Sequence, residues 1–169
     1  IGWGKRPKRE DRGVWKRGLG FALGCKYSNA PHMGCATVRV REDETVEVRM
    51  SADEIGQGIR TGIAQLAAEE FKVPLEKIVM VPLDTDITPY DQGSYSSRSL
   101  YVSGSAVVAA CRDAKRQLFD MASKPLEAPP EELDTADGKI FVKKDPSRSV
   151  RITELFASNP FDRNRYLGE

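Results

Sequence analysis

The chain has 169 residues, with 26 Lys and Arg against 25 Asp and Glu. That length supports one domain with a sizeable core, and the near-zero net charge gives no global pull toward nucleic acid or an anionic membrane surface. No apolar run approaches the roughly 18 residues that a membrane span needs.

The three cysteines, Cys25, Cys35 and Cys111, are odd in number and form no C-x-x-C. This points to a reducing compartment, the cytoplasm, and not to a disulfide framework. Cys25, His32 and Cys35 are near one another in sequence, but structural zinc wants four ligands at tighter spacing, so they read as small buried or loop side chains. The chain begins with Ile1 and shows no signal peptide, so an excised piece of a longer chain is expected.

In chain order, residues 1–17 form a charged lead-in with Lys5, Arg6, Lys8, Arg9, Arg12, Lys16 and Arg17. It reads as a solvated segment in preference to an arm for an anionic partner, with Trp3 and Trp15 as docking points. The rest, 18–169, reads as one subdomain. GLGFALGCKY, residues 18–27, reads as a strand with close-packing glycines. The Gly18, Gly20 and Gly24 spacing approaches a dinucleotide fingerprint but lacks the strand before it and the helix after it. In 35–50, Val38, Val40, Val46 and Val48 alternate with charged residues, which predicts a hairpin turning at Glu42-Asp43-Glu44.

The period then changes. Ile59, Ile63, Leu66, Ala67 and Phe71 line one helical face, and Pro74 is expected to stop that helix. Lys77 to Leu83 read as a short strand. A long helical pattern from about Arg98 to Ser123 carries Val107, Ala110, Cys111, Ala114, Leu118 and Met121 on one face. KPLEAPPEELDTADGKIFVKK reads as a loop, with Asp137-Gly138 turning into a strand at Ile140 to Val142. Thr153-Glu154-Leu155 suggest a short helix, and NPFDRNRYLGE reads as irregular. The order predicts a two-layer α+β domain, a mixed sheet packed by two long helices.

Both long helices follow unusual loops: SADEIGQG, residues 51–58, and DTDITPYDQGSYSSRS, residues 84–99. A helix N-terminus offers free N–H groups and the positive end of the dipole. Glycines allow close approach of a ligand, and serines add donors with little bulk. Together the loops suggest a cradle for an anionic, hydrogen-bonding, phosphate-carrying cofactor. The plainer account is a strand-to-helix turn at Gly56-Gln57-Gly58 and one serine N-cap, but one cap needs one serine. Asp84 and Asp86 read as turn and cap residues ahead of acid/base or magnesium roles. Arg98 suits either a phosphate partner or a surface position.

EIGQGIRTGIAQLAAEEFKVPLEKI followed by LDTDITPYDQGSYSSRSLYVSGSAVVAA resembles the molybdopterin-binding subunit of the xanthine dehydrogenase, aldehyde oxidase and carbon monoxide dehydrogenase family. The resemblance runs from about Gly18 to about Val142. Its specificity lies in the order G-Q-G-x-x-T, then D-T-x-x-T-P, then G-S-x-S-S-R-S. It implies that Gly56 and Gln57 contact the pterin. It implies that the Ser96 backbone lies close to the molybdenum centre, and that Ser97 and Ser99 bind the pterin and its phosphate. In bacterial members the cofactor usually carries a cytosine dinucleotide.

The reaction implied is hydroxylation of a small substrate with oxygen from water, electrons leaving through iron–sulfur clusters. The implied partners are the rest of the molybdenum subunit, with FAD and 2Fe-2S held in partner subunits or domains. The family's catalytic glutamate belongs to a downstream G-x-G-E motif that these residues do not contain, so the chain alone is expected to be inactive. A non-catalytic phosphate- or nucleotide-binding module is the alternative, and a structural piece packed on a partner is a third.

Overall fold

A computed structural model of the chain describes residues 4–5, 13–16, 20–26, 33–158 and the backbone of 167–168. Two strands, β1 (Ala36–Val40) and β2 (Val46–Met50), form the expected antiparallel hairpin, with Val38 opposite Val48 and Val40 opposite Val46. The turn closes at Glu44, which takes a positive φ of 67°, and at Asp43, whose carboxylate accepts from the Thr45 N–H at 3.0 Å and hydroxyl at 2.6 Å. Alternation places the valines under the helices and Thr37, Arg39 and Arg49 on the other face.

Helix α1 (Ile59–Phe71) buries Ile59, Ile63, Ala64, Ala67 and Phe71. It ends before Pro74, at Lys72, whose left-handed conformation (φ 52°) lets the Lys72 and Val73 N–H groups reach back to the last turn. Strand β3 (Ile78–Met80) then pairs parallel with β2, Val46 opposite Ile78 and Val48 opposite Met80. A π-helical turn, Ser99–Ser103, leads into α2 (Gly104–Leu126). This helix runs three residues past the expected end and carries Pro125 in its final turn, where few ladder bonds remain to be lost.

The tract expected to be a loop contains β4 (Leu133–Ala136). Its inward residues are Leu133 and Thr135, only one of them apolar, so no apolar alternation marked the strand. β4 turns into β5 (Lys139–Val142) through Asp137 and Gly138, both at positive φ as a two-residue hairpin demands. Gly138 is required twice, because a Cβ there would meet the Glu44 carboxylate at 2.7 Å. β6 (Asp145–Arg151) completes this antiparallel sheet, and α3 (Ile152–Ser158) follows. Finally β7 (Leu167–Gly168), inside the stretch expected to be irregular, pairs antiparallel with β1.

The sheet order β3-β2-β1-β7 is mixed, as expected, and is packed by α1 and α2. The second sheet, β4-β5-β6, packs against α2 as well, so a single core contains Val38, Val48, Phe71, Leu118, Leu133 and Ile140. Arg151 clasps Glu44 through two hydrogen bonds, 2.9 and 2.6 Å, tying the β1–β2 turn to the second sheet. Burial pushes the Cys111 thiol up to about 12. Residues 20–26 join no sheet among the described residues, and Phe21 and Leu23 are exposed. The glycines there weaken a strand more than the apolar residues support it. Gly18, His32, Trp3 and most of the lead-in lie outside the described residues. No described helix is long and apolar enough to cross a membrane.

Leu118 is fully buried where α2 meets the shared core. Replacing it by Ala is expected to destabilise the fold by about 2–5 kcal/mol, read as a lowered urea midpoint at unchanged slope. A loss below about 1 kcal/mol would show that the two sheets do not share this core.

Candidate cofactor-binding site

Because β2 and β3 run parallel, the loops that leave their C-terminal ends emerge from one edge of the sheet. Loop 51–58 leads into α1, and loop 81–98 leads into the π turn. Arg60 in the first turn of α1 donates to the Met80 carbonyl at 3.0 Å, fixing the helix start beside the end of β3. The Ser51 hydroxyl reaches Thr88 Oγ1 at 2.8 Å and the Pro89 carbonyl, which stitches the loops at their roots.

Further out they meet at one backbone oxygen. The Asp53 carbonyl accepts from Gln57 Nε2 at 2.7 Å and from the Ser94 hydroxyl at 2.9 Å. Ser99 Oγ donates in turn to Ser94 Oγ at 3.0 Å. Gln57 and Ser99, 42 positions apart in the chain, are thus joined through Ser94 and Asp53. Gln57 Oε1 also accepts from the Ile55 N–H at 2.7 Å. Its carboxamide keeps one N–H and one lone pair for a ligand.

In the first loop, one expectation is corrected. The N–H groups at the start of α1 are not free. The Glu54 carboxylate accepts from Gly56 and Gly58, both at 2.9 Å, and from Arg60 at 3.3 Å. Gly56 and Gly58 take positive φ, 96° and 75°, to aim those donors. The Gly58 N–H first, with those of Arg60 and Gly56, holds the Glu54 carboxyl below its ordinary value. An anion from the chain itself occupies the helix start, as the dipole favours.

In the second loop, Asp84 makes the expected turn, its Oδ1 accepting from the Asp86 N–H at 2.9 Å. Residues 95–98 form a tighter turn, the Arg98 N–H donating to the Tyr95 carbonyl at 3.0 Å. The two central residues, Ser96 and Ser97, have φ of 52° and 56°. Positive φ at both centres is the type I′ arrangement, which favours Asn-Gly, and for a non-glycine residue costs about 1–2 kcal/mol each. Their N–H groups have no partner among the described residues. Successive N–H groups in such a turn form a concavity for an anion. No serine side chain caps the helix: the Ser99 hydroxyl goes to Ser94, and Ser103 donates to Asp91 Oδ2 at 3.1 Å.

Arg98 is neither on the surface nor open to a phosphate. It is fully buried and paired with Asp91, whose side chain is also buried. The one sequence signal for this pairing is the D-x-G turn at Asp91-Gln92-Gly93, whose Asp91 Oδ1 accepts from the Gly93 N–H. A cleft of about 420 Å³ opens elsewhere, against the outer face of the sheet, lined by Thr37, Arg39, Glu47, Arg49 and residues 86–89. It contains none of the loop serines and not Gln57. Among the described residues no three His, Cys, Asp or Glu side chains cluster as a metal site.

Paired loops at the carboxyl edge of parallel strands, one ending in an open donor turn, define an α+β domain of the cofactor-binding kind. The sequence profile of the molybdopterin cofactor-binding domain matches residues 1–166, and the chain belongs to that family. It is similar to the xanthine dehydrogenase molybdenum-binding subunit of Escherichia coli O157:H7, 30% identical over 166 residues, 94% of this chain and 22% of that protein. The carbon monoxide dehydrogenase large chain of Afipia carboxidovorans is 30% identical over 138 residues, 82% of this chain and 17% of that one. The crystal structure of a Cu,Mo-CO dehydrogenase in its carbon monoxide reduced state superimposes with a TM-score of 0.67 at 30% identity, over 79% of this chain and 17% of that one. The chain therefore spans about a fifth of the length of the curated relatives it matches.

Glu54 provides a pH test of the first loop. Its pKa is depressed in the fold, so its contribution to stability is present above the unfolded value, about 4.3, and is lost as pH falls through the lower native value. The melting-temperature gap between the wild type and Glu54→Gln should be widest near neutral pH and close on acidification. A gap that does not change with pH would show that the carboxylate does not hold the loop.

Proposed function

We propose that this chain forms the floor under the pterin and phosphate of a molybdenum cofactor, as part of the molybdenum subunit of a hydroxylase of the xanthine dehydrogenase, aldehyde oxidase and carbon monoxide dehydrogenase type. The observation that carries the reading is the Tyr95–Arg98 turn: two open serine N–H groups, in a loop whose Ser94 hydroxyl shares the Asp53 carbonyl with Gln57. A phosphorylated pterin needs donors for its anionic end and mixed donors and acceptors along its ring edge. This loop pair offers both, and its small side chains leave room.

The roles follow from the chemistry of each group. The free N–H and lone pair of Gln57 face a ring edge, and Gly56, without a side chain, lets the ring approach the backbone. Ser96 contributes its backbone close to the metal end. Ser97 and Ser99 take the phosphate, the Ser99 hydroxyl turning its proton from Ser94 to a phosphate oxygen when the cofactor binds. When bound, the cofactor supplies two-electron oxidation with oxygen taken from water. The protein's part in these loops is to bind and orient it, and the general base lies elsewhere in the subunit. A cytosine dinucleotide extension suits the same donor-rich edge.

The surroundings support covering partners. Ile55, Tyr90 and Tyr101, carried by the two loops and the π turn, are 71%, 74% and 66% exposed. Large apolar side chains grouped around a polar site are normally covered by more protein. We assign that cover to the rest of the molybdenum subunit, with iron–sulfur and FAD subunits completing a cytoplasmic complex that acts on a small molecule.

The native complex is expected to hold about one molybdenum per subunit with a pterin nucleotide and iron. Substituting Gln57 and Ser97 together by Ala should remove most of the molybdenum, measured by metal analysis. Full metal content in that double variant, or a bound nucleotide with no molybdenum in the wild type, would overturn the assignment.

A further inference from the structure

The buried Arg98 has no place in the roles above, yet it is the best-anchored side chain of the loop. Nη1 donates to Asp91 Oδ1 and to the Gly93 carbonyl, both at 2.8 Å, and Nη2 to the Met33 carbonyl at 3.2 Å. Asp91 Oδ1 also accepts from the Gly93 N–H at 2.7 Å, and its other oxygen, Oδ2, accepts from Ser103. The Tyr95 ring lies 5.6 Å from the guanidinium carbon. The backbone of Arg98 is fixed too, its N–H to Tyr95 at 3.0 Å and its carbonyl accepting from Val102 at 2.7 Å. Gly34 lets residues 33–34 approach this closely, since a Cβ there would meet the Val102 carbonyl at 2.7 Å.

The contacts surround Ser96-Ser97 from both sides along the chain and from the Met33 segment. Tyr95 and Gly93 stand before the pair, Arg98 itself ends the turn, and Met33 and Ser103 fix the ground behind it. A type I′ turn of two serines outside a hairpin has little to hold it by itself. A planar guanidinium with donors in fixed directions can set several acceptors at once, which a lysine cannot. The arrangement is not one that fold stability alone explains. Arg98 Nε is buried without a hydrogen-bond partner, and a buried ion pair is a weak stabiliser but a strong constraint on geometry.

We infer that Arg98, clamped by Asp91, is a positioning residue that holds Ser96 and Ser97 left-handed so that their N–H groups converge on the anionic group of the cofactor. This rests on the cofactor reading above. It does not touch the cofactor; it acts through the turn.

The test uses the full-length molybdenum subunit in its complex. Molybdenum and pterin per subunit, and the melting temperature, are measured for the wild type, for Arg98→Lys, and for Arg98→Lys with Ser96→Gly. Glycine adopts positive φ without steric cost, so it should replace what the clamp supplies. Arg98→Lys is expected to keep the fold and retain the cofactor about tenfold less well, the fold-change of one misplaced charged hydrogen bond. Adding Ser96→Gly should recover most of that loss. If Arg98→Lys does not accumulate, the neutral pair Asp91→Asn with Arg98→Met takes its place in both arms. Undiminished loading in a loaded wild-type background overturns the inference alone. So does a loading loss that tracks the melting temperature and is not recovered by Ser96→Gly. A wild-type complex without molybdenum or pterin overturns the cofactor reading, and the positioning role with it.

Discussion

The parallel pairing of β2 with β3 is the constraint on which the site depends. A hairpin between these strands would send one loop to each edge of the sheet. The crossover through α1 turns the chain back to the starting edge, so both strands present their carboxyl ends together. Once that is fixed, residues 53 and 94 can share a hydrogen bond, and a backbone carbonyl becomes the junction of two loops. The hydrophobic core serves the same end. Val46 and Val48 of β2 lie under Ile63, Ala67 and Phe71 of the crossover helix, in one cluster with Leu118 of α2. Apolar packing decides where the helices start, and the helix starts decide where the donors are.

The two loops are not electrostatically equal. The start of α1 is satisfied by Glu54, and the loop around it offers neutral groups: a glycine backbone and half of a carboxamide. The turn before α2 has an internal carboxylate too, Asp91, but it is spent on Arg98, the Gly93 N–H and Ser103, and the serine N–H groups are open among the described residues. A second anion next to Glu54 would meet an unneutralised like charge, whereas one at the serine turn would meet open donors beside an ion pair. On the proposed function, this asymmetry would orient a ligand with one charged end and one neutral end, its charged end at the second loop and its ring on the Gln57 side.

Much of this frame was legible in the sequence because its periods were clean. Four alternating valines marked the β1–β2 hairpin, and the 3.6-residue spacing of Val107, Ala110, Cys111, Ala114 and Leu118 marked α2. In the second sheet the Asp137-Gly138 turn and β5 were legible, but β4 and β6 were hidden for a physical reason. β4 buries only Leu133 and Thr135, and five of the seven residues of β6 are exposed, so neither carries an apolar stripe. The motif residues Gly56, Gln57, Ser96, Ser97 and Ser99 could be located in loops, but their convergence could not. It runs through the Asp53 carbonyl, a backbone atom that every residue type possesses. The free N–H groups expected at the start of α1, and the open setting expected for Arg98, were misjudged for a related reason: a charge in a polar loop looks solvated until the fold shows which N–H or carboxylate it meets.

The second loop departs from what stability alone would choose. Two serines sit where glycine or asparagine would be easier, and a guanidinium is buried with one N–H unsatisfied. An apolar side chain at position 98 with a glycine-rich turn would satisfy local preference better. It would also leave the turn free to sample other conformations, and donors that move bind an anion less well than donors already in place. Strain of this kind persists where the surrounding contacts over-determine it, and here the carboxylate of Asp91, three backbone carbonyls and the Ser103 hydroxyl do so. The concentration of unfavourable choices within Asp91–Ser103, beside an otherwise conventional core, is what the proposed binding role would ask of this segment.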